Sequence, residues 1–451
     1  MYRVRETNTF WFMAPLVLGN MLNPLNSTML ATAIVSICGA FGQDLGTGAL
    51  LIVPLYLTSA IGQPLMGRLA DIFSARRINL LGFVVILISA LIGVLARNFS
   101  WLIVSRVLLG LGSSAAYPSA MTMIRQRYAA LHQEVPGRIL GLLAIASQVS
   151  IAFGPFLGGV LTEHFGWQGI FFVNIPLVLI ALALSWVSRR EQAPVKKKAG
   201  QVLKELDLPG VLTFAIFLII FLLTLLYPSW LWIKIPLVLL ALIVFISVEV
   251  KHPQPFIDMR LLVMNVPLST TFLRQVAINF VMYMTIYGMP QWMEQSKGIS
   301  PSRVGLLMLP LSLAAMLCSL LVSGSKHNNR LLLAGTLSII IASAGFFLLN
   351  RESSIPFIMA ISILLGIATG VLTIANQATL YAAAPAGQVG ISFGLYRTVG
   401  YVGAIVAGSR LKHEFHSGAT DANLHLLAGY CLAACVMVVI FLIPVFLKKQ
   451  S

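Results

Sequence analysis

Two arginines stand where a permanent cation is costly. Arg106 lies in RVLLGLG and Arg397 in GISFGLYRTVGYVGAIVAG, segments otherwise apolar or small. A cation at a bilayer centre costs about 2.5 to 3.5 kcal/mol on insertion scales, so neither is expected to face lipid. Such a guanidinium either pins neighbouring helices through their carbonyls or looks onto a wet interior, where it attracts negative charge. Arg397 sits roughly 12 Å inside its segment at 1.5 Å per helical residue, too deep for easy snorkelling, and is expected on a central aqueous pathway. Arg274 and Lys234, closer to segment ends, are expected to reach the interface. Neutral polar residues cluster in four apolar segments: Asn20, Asn23 and Asn26; Gln148; Gln275 and Asn279; Asn376 and Gln377. Each alone can be interhelical glue; their concentration points to a pathway formed by Asn23, Asn26, Arg106, Gln148, Gln275, Asn279, Asn376 and Arg397. Acids are scarce there. Asp71, Glu249, Asp258 and Glu294 come nearest, all at segment ends; Glu294 in QWMEQSKG joins the pathway, and Glu294 and Asp71 are the candidates for handling a proton.

Enzymatic chemistry finds little support. No GxxxxGK[ST] loop, GxSxG elbow or HExxH pair occurs. His413 and His416 in KHEFH, placed in an outer loop, have only Glu414 nearby, so no metal site is expected. Cys38, Cys318, Cys431 and Cys435 fall in or beside apolar segments and read as small core residues. The expectation is a protein that is not an enzyme and carries no cofactor.

These residues need membrane helices to position them. The chain has 451 residues, 58% hydrophobic and only 10% charged, against about a quarter charged in soluble domains. A bilayer takes about 20 mostly apolar residues per helix, and fourteen stretches qualify: 11–36, 46–66, 78–96, 100–123, 138–160, 168–187, 209–227, 231–250, 268–290, 303–323, 331–349, 355–377, 389–409 and 424–447. No removable signal peptide is read at the start. With the N-terminus inside, 20 of the 30 Lys and Arg fall in inner loops, against six in outer ones (Arg97, Lys297, Arg303, Arg351, Arg410 and Lys412). The positive-inside rule then puts both termini in the cytoplasm. The same scatter of basic residues through short loops, rather than on one face with aromatics, argues against nucleic-acid binding despite a net charge of +16. The polar segment 188–208 reads as a cytoplasmic linker between an N-terminal six-helix bundle (1–187) and a hairpin of two spans around YPSWLW (209–250), which a second six-helix bundle follows (251–451). GRLADIFSARRINLLG after the second span and GSKHNNRLLLAG after the tenth suggest internal repetition, as in many transporters.

Three motifs carry a resemblance. GRLADIFSARR (Gly67 to Arg77), RVLLGLG (Arg106 to Gly112) and GPFLGG (Gly154 to Gly159) occur in this order and in the matching loops and spans. Together they resemble the major facilitator superfamily, and with fourteen spans and PFIDMRLL after the hairpin the chain is similar to its drug:proton antiporter branch. The resemblance implies an all-α membrane protein of the major-facilitator fold: two pseudo-symmetric six-helix bundles plus an inserted two-helix hairpin. It implies that Asp71, with Arg68, Arg76 and Arg77, latches the inner gate against the thirteenth span. It also implies that Gly154, Pro155, Gly158 and Gly159 form an antiporter motif that biases the carrier towards exchange. The sequence departs at Ser74, where the family commonly has Gly, at Leu109, where it has Gln, and at Asn26, where this branch commonly has Asp. The expected function is export of small amphiphiles by alternating access, driven by the proton gradient, by a monomer in the cytoplasmic (inner) membrane. The alternatives are a dedicated carrier of one metabolite or siderophore, in either direction, and a carrier-fold sensor that does not transport.

Overall fold

In lipid, backbone polar groups must be satisfied within the chain, which favours helices. The computed structural model describes residues 9–133, 137–187, 207–227, 229–252, 255, 257, 259–322, 325, 327–384 and 389–443, and these residues are helical or in turns, with no strand among them. The linker residues 188–206 and Asp258 lie outside the described residues.

The chain opens with α1 (Thr9–Met29), a 3₁₀ turn (Leu30–Thr32) and α2 (Ile34–Phe41). The axis bends by 63° between the two helical parts, and α2 stops at Gly42, whose φ of +61° suits a residue without a side chain. Next come α3 (Leu45–Ala49), capped by Asp44, α4 (Ile52–Ile72), α5 (Ala75–Val94), α6 (Phe99–Ser114) and α7 (Ala116–Ala130). They lead to α8 (Gly137–Phe165), α9 (Gly169–Phe172) and α10 (Asn174–Val187). The second part comprises α11 (Leu208–Leu226), α12 (Leu231–Lys251), α13 (Met259–Met264), α14 (Val266–Gln295) and α15 (Pro301–Val322), then α16 (Asn328–Gly345), α17 (Ile355–Ala383), α18 (Val389–Glu414) and α19 (Asp421–Ile440). Side-chain caps mark several starts: Asn98 accepts from Trp101 N at 3.2 Å, and Asn265 from Leu268 N at 3.1 Å.

By length and composition, eleven helices among the described residues can cross a membrane, or twelve if the bent α1 to α2 pair is one span. The sequence reading expects fourteen. The two long helices that fall short are α14 (30 residues) and α18 (26 residues), and the reason is where they sit. Of the 30 residues of α14, 21 are buried; a helix enclosed by protein can carry polar side chains that lipid would exclude. The converse holds at the rim. Only 6% of the apolar window of α12 is buried, against 67% for Leu45–Gly67. Helix α12 packs on α11, which in turn touches α4 and α18.

Several expected positions move. The fourth stretch is broken at Ala115 into α6 and α7. Helix α18 runs to Glu414, so His413 is helical rather than in a loop. Helix α14 extends to Gln295 and takes Glu294 into its last turn. Arg274 does not reach an interface: it is 0% exposed. Lys234 does lie at an end, donating to Tyr227 O at 2.6 Å.

Candidate functional site

Both parts of the chain use a buried arginine as a tie. Arg106 on α6 is 1% exposed. Its Nε donates to Leu51 O at 3.1 Å and one terminal nitrogen to Asn26 O at 3.3 Å. Asn26 is itself occupied, donating to Leu22 O at 2.8 Å and exchanging amide hydrogen bonds with Asn174 on α10. Arg274 on α14 donates to Asn376 Oδ1 on α17 at 3.0 Å, to Phe441 O at 2.9 Å and to Thr271 Oγ1 at 3.0 Å. A chain of amides continues from there. Asn376 reaches Gln275 Oε1 at 3.1 Å, Gln275 reaches Asn279 Oδ1 at 2.7 Å, and Asn279 reaches Gly400 O on α18 at 3.0 Å, while Tyr396 also donates to Gln275. In each part an arginine joins the helix bearing the first polar cluster to a neighbour, with uncharged partners.

Between the two parts lies a seam. Helix α8 packs on α15, α4 on α18, and the 3₁₀ turn and α2 on α14. GPFLGG divides its glycines between two neighbours. A methyl added at Gly159 would lie 2.8 Å from the Pro301 carbonyl carbon and 3.1 Å from Ser302 Cα, with the carbonyl oxygen nearer still, and one at Gly305 would lie 2.8 Å from Phe156 Cα. These contacts join α8 to α15. Gly154 and Gly158 instead face α1: added methyls would lie 2.7 Å from Thr28 Cβ and 2.7 Å from Met29 Cα. Thr32 donates to Pro155 O at 3.1 Å. At the same end, Gly46 abuts the Lys412 carbonyl and His416, and His416 Nδ1 lies 3.1 Å from Asp44 Oδ1. Burial raises the Asp44 carboxyl, but hydrogen bonds from Thr47 and His416 outweigh it and hold the group below its usual value.

Deeper along the seam, four tyrosines meet. The Tyr56 ring lies 4.8 Å from Tyr283 and 5.5 Å from Tyr401, and Tyr283 lies 6.1 Å from Tyr287, centre to centre. Tyr56 and Tyr287 hydroxyls are 3.2 Å apart, Tyr287 donates to Ser27 O at 2.7 Å, and Gln63 donates to Tyr401 Oη at 2.7 Å. Below them Arg397 stacks over Tyr117, 4.2 Å from the ring centre. One terminal nitrogen of Arg397 is buried with no hydrogen-bond partner among the described residues.

The expected pathway residues therefore fall into two sets. Asn26, Arg106, Gln275 and Asn376 are buried and engaged within their own part of the chain. Asn23, Asn279 and Arg397 keep partial exposure in mid-helix, Asn23 donating to Ser59 and Ser113 hydroxyls at 3.1 and 2.7 Å. Glu294 stands apart at the end of α14, one carboxyl oxygen buried and without a partner among the described residues. The side chains of Arg68, Asp71 and Gln148 lie outside the described residues. Arg76 donates to Ser185 O at 2.8 Å, and Arg77 is exposed. His413 faces Leu225 O at 3.0 Å, and no group of three or more metal-ligating side chains occurs among the described residues.

Residues 16–408 match the sequence profile of the Major Facilitator Superfamily. The chain belongs to that family. It is thus a multi-pass membrane transporter and not an enzyme. It is 32% identical over 426 residues, 92% of each chain, to YwoD of Bacillus subtilis strain 168, described as an uncharacterized MFS-type transporter. It is 28% identical to the methyl viologen resistance protein SmvA of Salmonella typhimurium, over 90% of this chain and 82% of that one. Its fold matches a solved structure from work on proton dependent oligopeptide transporters with a TM-score of 0.68 at 13% identity, covering 98% of this chain and 100% of the other.

The tyrosines escape a reading that looks for charge and amide, and Gln63 and Asn174 are amides that the reading by clusters passes over because neither belongs to a polar cluster. A signal is nonetheless present. Gln275, Asn279, Tyr283, Tyr287 and Gln291 recur every fourth residue, one polar stripe along α14, and Arg397 and Tyr401 repeat the spacing on α18.

Proposed function

We propose that this transporter exports small amphiphilic compounds by alternating access, using the proton gradient. Arg397 carries the reading: a guanidinium on α18 with an unsatisfied nitrogen, partly exposed in mid-helix and facing Tyr117 of the other part. A substrate held at that level contacts both parts, and rocking them about it exposes the site to one side at a time. The contacts at Gly159, Gly305 and Gly46 close the seam at the end that the charge asymmetry assigns to the outside. Both termini are then cytoplasmic, in the inner membrane. We count fourteen spans, adding the polar helices α14 and α18 to the twelve apolar ones. Helices α11 and α12 form an inserted hairpin outside two six-helix bundles, as in the drug:proton antiporter branch. A working monomer is part of this reading.

Asn26 occupies the usual acidic position, and its amide is committed to Asn174, so the proton must go elsewhere. Glu294 is our candidate, because a buried carboxyl oxygen without a donor gains most from protonation. Asp71 with Arg68, Arg76 and Arg77 remains our candidate for the inner latch. The resistance named for SmvA supports export over import. The test is flux in proteoliposomes under an imposed pH gradient, across cationic, neutral and anionic compounds. Uphill movement of at least one compound against the proton flow is expected; movement that ignores the pH gradient rules out proton coupling, and no movement of any compound favours a sensor.

A further inference from the structure

We propose that the Arg397 and tyrosine cluster is a recognition subsite selecting flat aromatic compounds that carry an anionic group. The inference rests on the transport reading above for the location of the site, and adds the class of ligand. Three observations converge. First, the guanidinium has capacity to spare: one terminal nitrogen is buried without a hydrogen bond among the described residues, and the face of the group is held by Tyr117 at 4.2 Å. A carboxylate or sulfonate accepts from such a group through two parallel hydrogen bonds. Second, no carboxylate neutralises it among the described residues. The ion pair described at this seam, His416 with Asp44, lies at its end, and Glu294 is seven residues beyond Tyr287 on α14, roughly 10 Å along the helix; a partly buried cation without a counter-ion draws negative charge. Third, the walls are aromatic and not fully sealed. Tyr56 and Tyr287 are 0% exposed, but Tyr283 and Tyr401 each keep 8%, and Tyr117 and Asn279 are also partly exposed. Arg397 and Tyr401 are four residues apart and so share one face of α18, and Tyr401 reaches Tyr283 through Tyr56, at 5.5 and 4.8 Å between ring centres.

The two features select together. Ring faces attract flat π-systems in offset or edge-to-face geometry, which a saturated ring of equal charge cannot match. The guanidinium attracts the anionic group and repels a dication. Recognition by both requires the charge to sit at the edge of the flat system. The residues come from both parts of the chain, Tyr56 and Tyr117 from one and Tyr283, Arg397 and Tyr401 from the other, so such a ligand bridges the seam.

Equilibrium binding to the purified full chain in nanodiscs tests this with three probes: 1-naphthalenesulfonate, cyclohexanesulfonate and methyl viologen. The expected result is that naphthalenesulfonate binds at least tenfold more tightly than either of the others, which needs no variant. Arg397→Gln should then lose at least tenfold for naphthalenesulfonate, and Tyr283→Leu should narrow its advantage over cyclohexanesulfonate. Equal affinities, tighter binding of methyl viologen, or no binding of naphthalenesulfonate would overturn the proposal, as would an Arg397→Gln protein that elutes as a monodisperse peak and binds it undiminished. The transport reading fails separately. If methyl viologen both binds better and is pumped, the carrier reading stands and the ligand class is wrong; if naphthalenesulfonate binds as expected but no compound is moved, the subsite stands and export does not.

Discussion

Replacing Gly159 by alanine should shift the carrier away from the closed outer seam, whereas replacing Gly158, its neighbour, should not. The added methyl at Gly159 would lie 2.8 Å from the Pro301 carbonyl carbon. Restoring an ordinary contact of 3.4 Å needs α8 and α15 to part by about 0.6 Å there, and by more at the carbonyl oxygen. Both partners are helical backbone, so neither can rotate out of the way. Overpacking of this kind costs about 1 to 3 kcal/mol. The contact exists only while the seam is closed, so the cost falls on one state and changes the closed-to-open ratio by about 5- to 150-fold. At Gly158 the methyl meets Met29 and Thr32 on α1 and the turn after it, a contact within one part that both states share. Its cost appears as lower overall stability with the ratio unchanged. Spin labels at His164 and Arg303, both exposed beside the seam, report the separation by pulsed electron resonance. The Gly159 variant should gain a longer-distance population that the Gly158 variant lacks. The reasoning is refuted if both variants give the wild-type distance distribution, or if Gly158→Ala opens the seam and Gly159→Ala does not.

Other outcomes follow from the same contacts. Arg274→Ala strands Asn376 Oδ1 and takes a donor from Phe441 O, while the Thr271 hydroxyl keeps its bond to Pro267 O; at about 1 to 3 kcal/mol per buried orphan before relaxation, thermal unfolding in detergent should drop by more than for Arg77→Ala, whose side chain is exposed. Glu294→Gln should abolish pH-gradient-driven flux while leaving downhill exchange, and a variant still driven by the gradient would move the proton to another group. Asp44→Ala removes the cap of α3, at about 1 kcal/mol. Because the Asp44 carboxyl is held below its usual value, its stabilisation is present above the ordinary carboxylate range and lost as pH falls through the lowered value, so wild type and Asp44→Ala should converge in melting temperature at strongly acid pH.

Much of this architecture can be read from the chain, and the gaps have physical causes. A cation within an apolar segment has few tolerable settings, so residue type and position alone point Arg106 and Arg397 to the interior. What their side chains find there does not follow. Among the described residues each keeps one terminal nitrogen without a hydrogen bond, but Arg106 is fixed by the carbonyls of Leu51 and Asn26, whereas Arg397 stacks on the Tyr117 ring; the difference depends on partners distant in sequence. Arg274 misleads because distance from a segment end suggests snorkelling, while α14 lies inside the protein along its length. The same enclosure lowers the hydropathy of α14 and α18, so the helices richest in polar contacts are the least visible by composition. Tyrosine is ambiguous in a membrane chain, serving interfaces as readily as cores, and Tyr56 and Tyr287 meet across 231 residues. GPFLGG is conspicuous as a string, yet only the helix face of each glycine separates the seam contact of Gly159 from the internal packing of Gly158.

The central claim is that the seam must open at its α8 to α15 end for a compound to cross. Glu163 Oε2 accepts from Ser302 N at 3.0 Å across it, which places a cysteine pair introduced here, closed directly or by a short bifunctional thiol reagent cleaved on reduction, where it can act as a reversible lock. In proteoliposomes carrying Glu163→Cys with Ser302→Cys, in a background free of the four native cysteines, oxidation should stop transport and reduction restore it, with each single variant insensitive to oxidant. Unchanged transport at complete cross-linking would contradict the account.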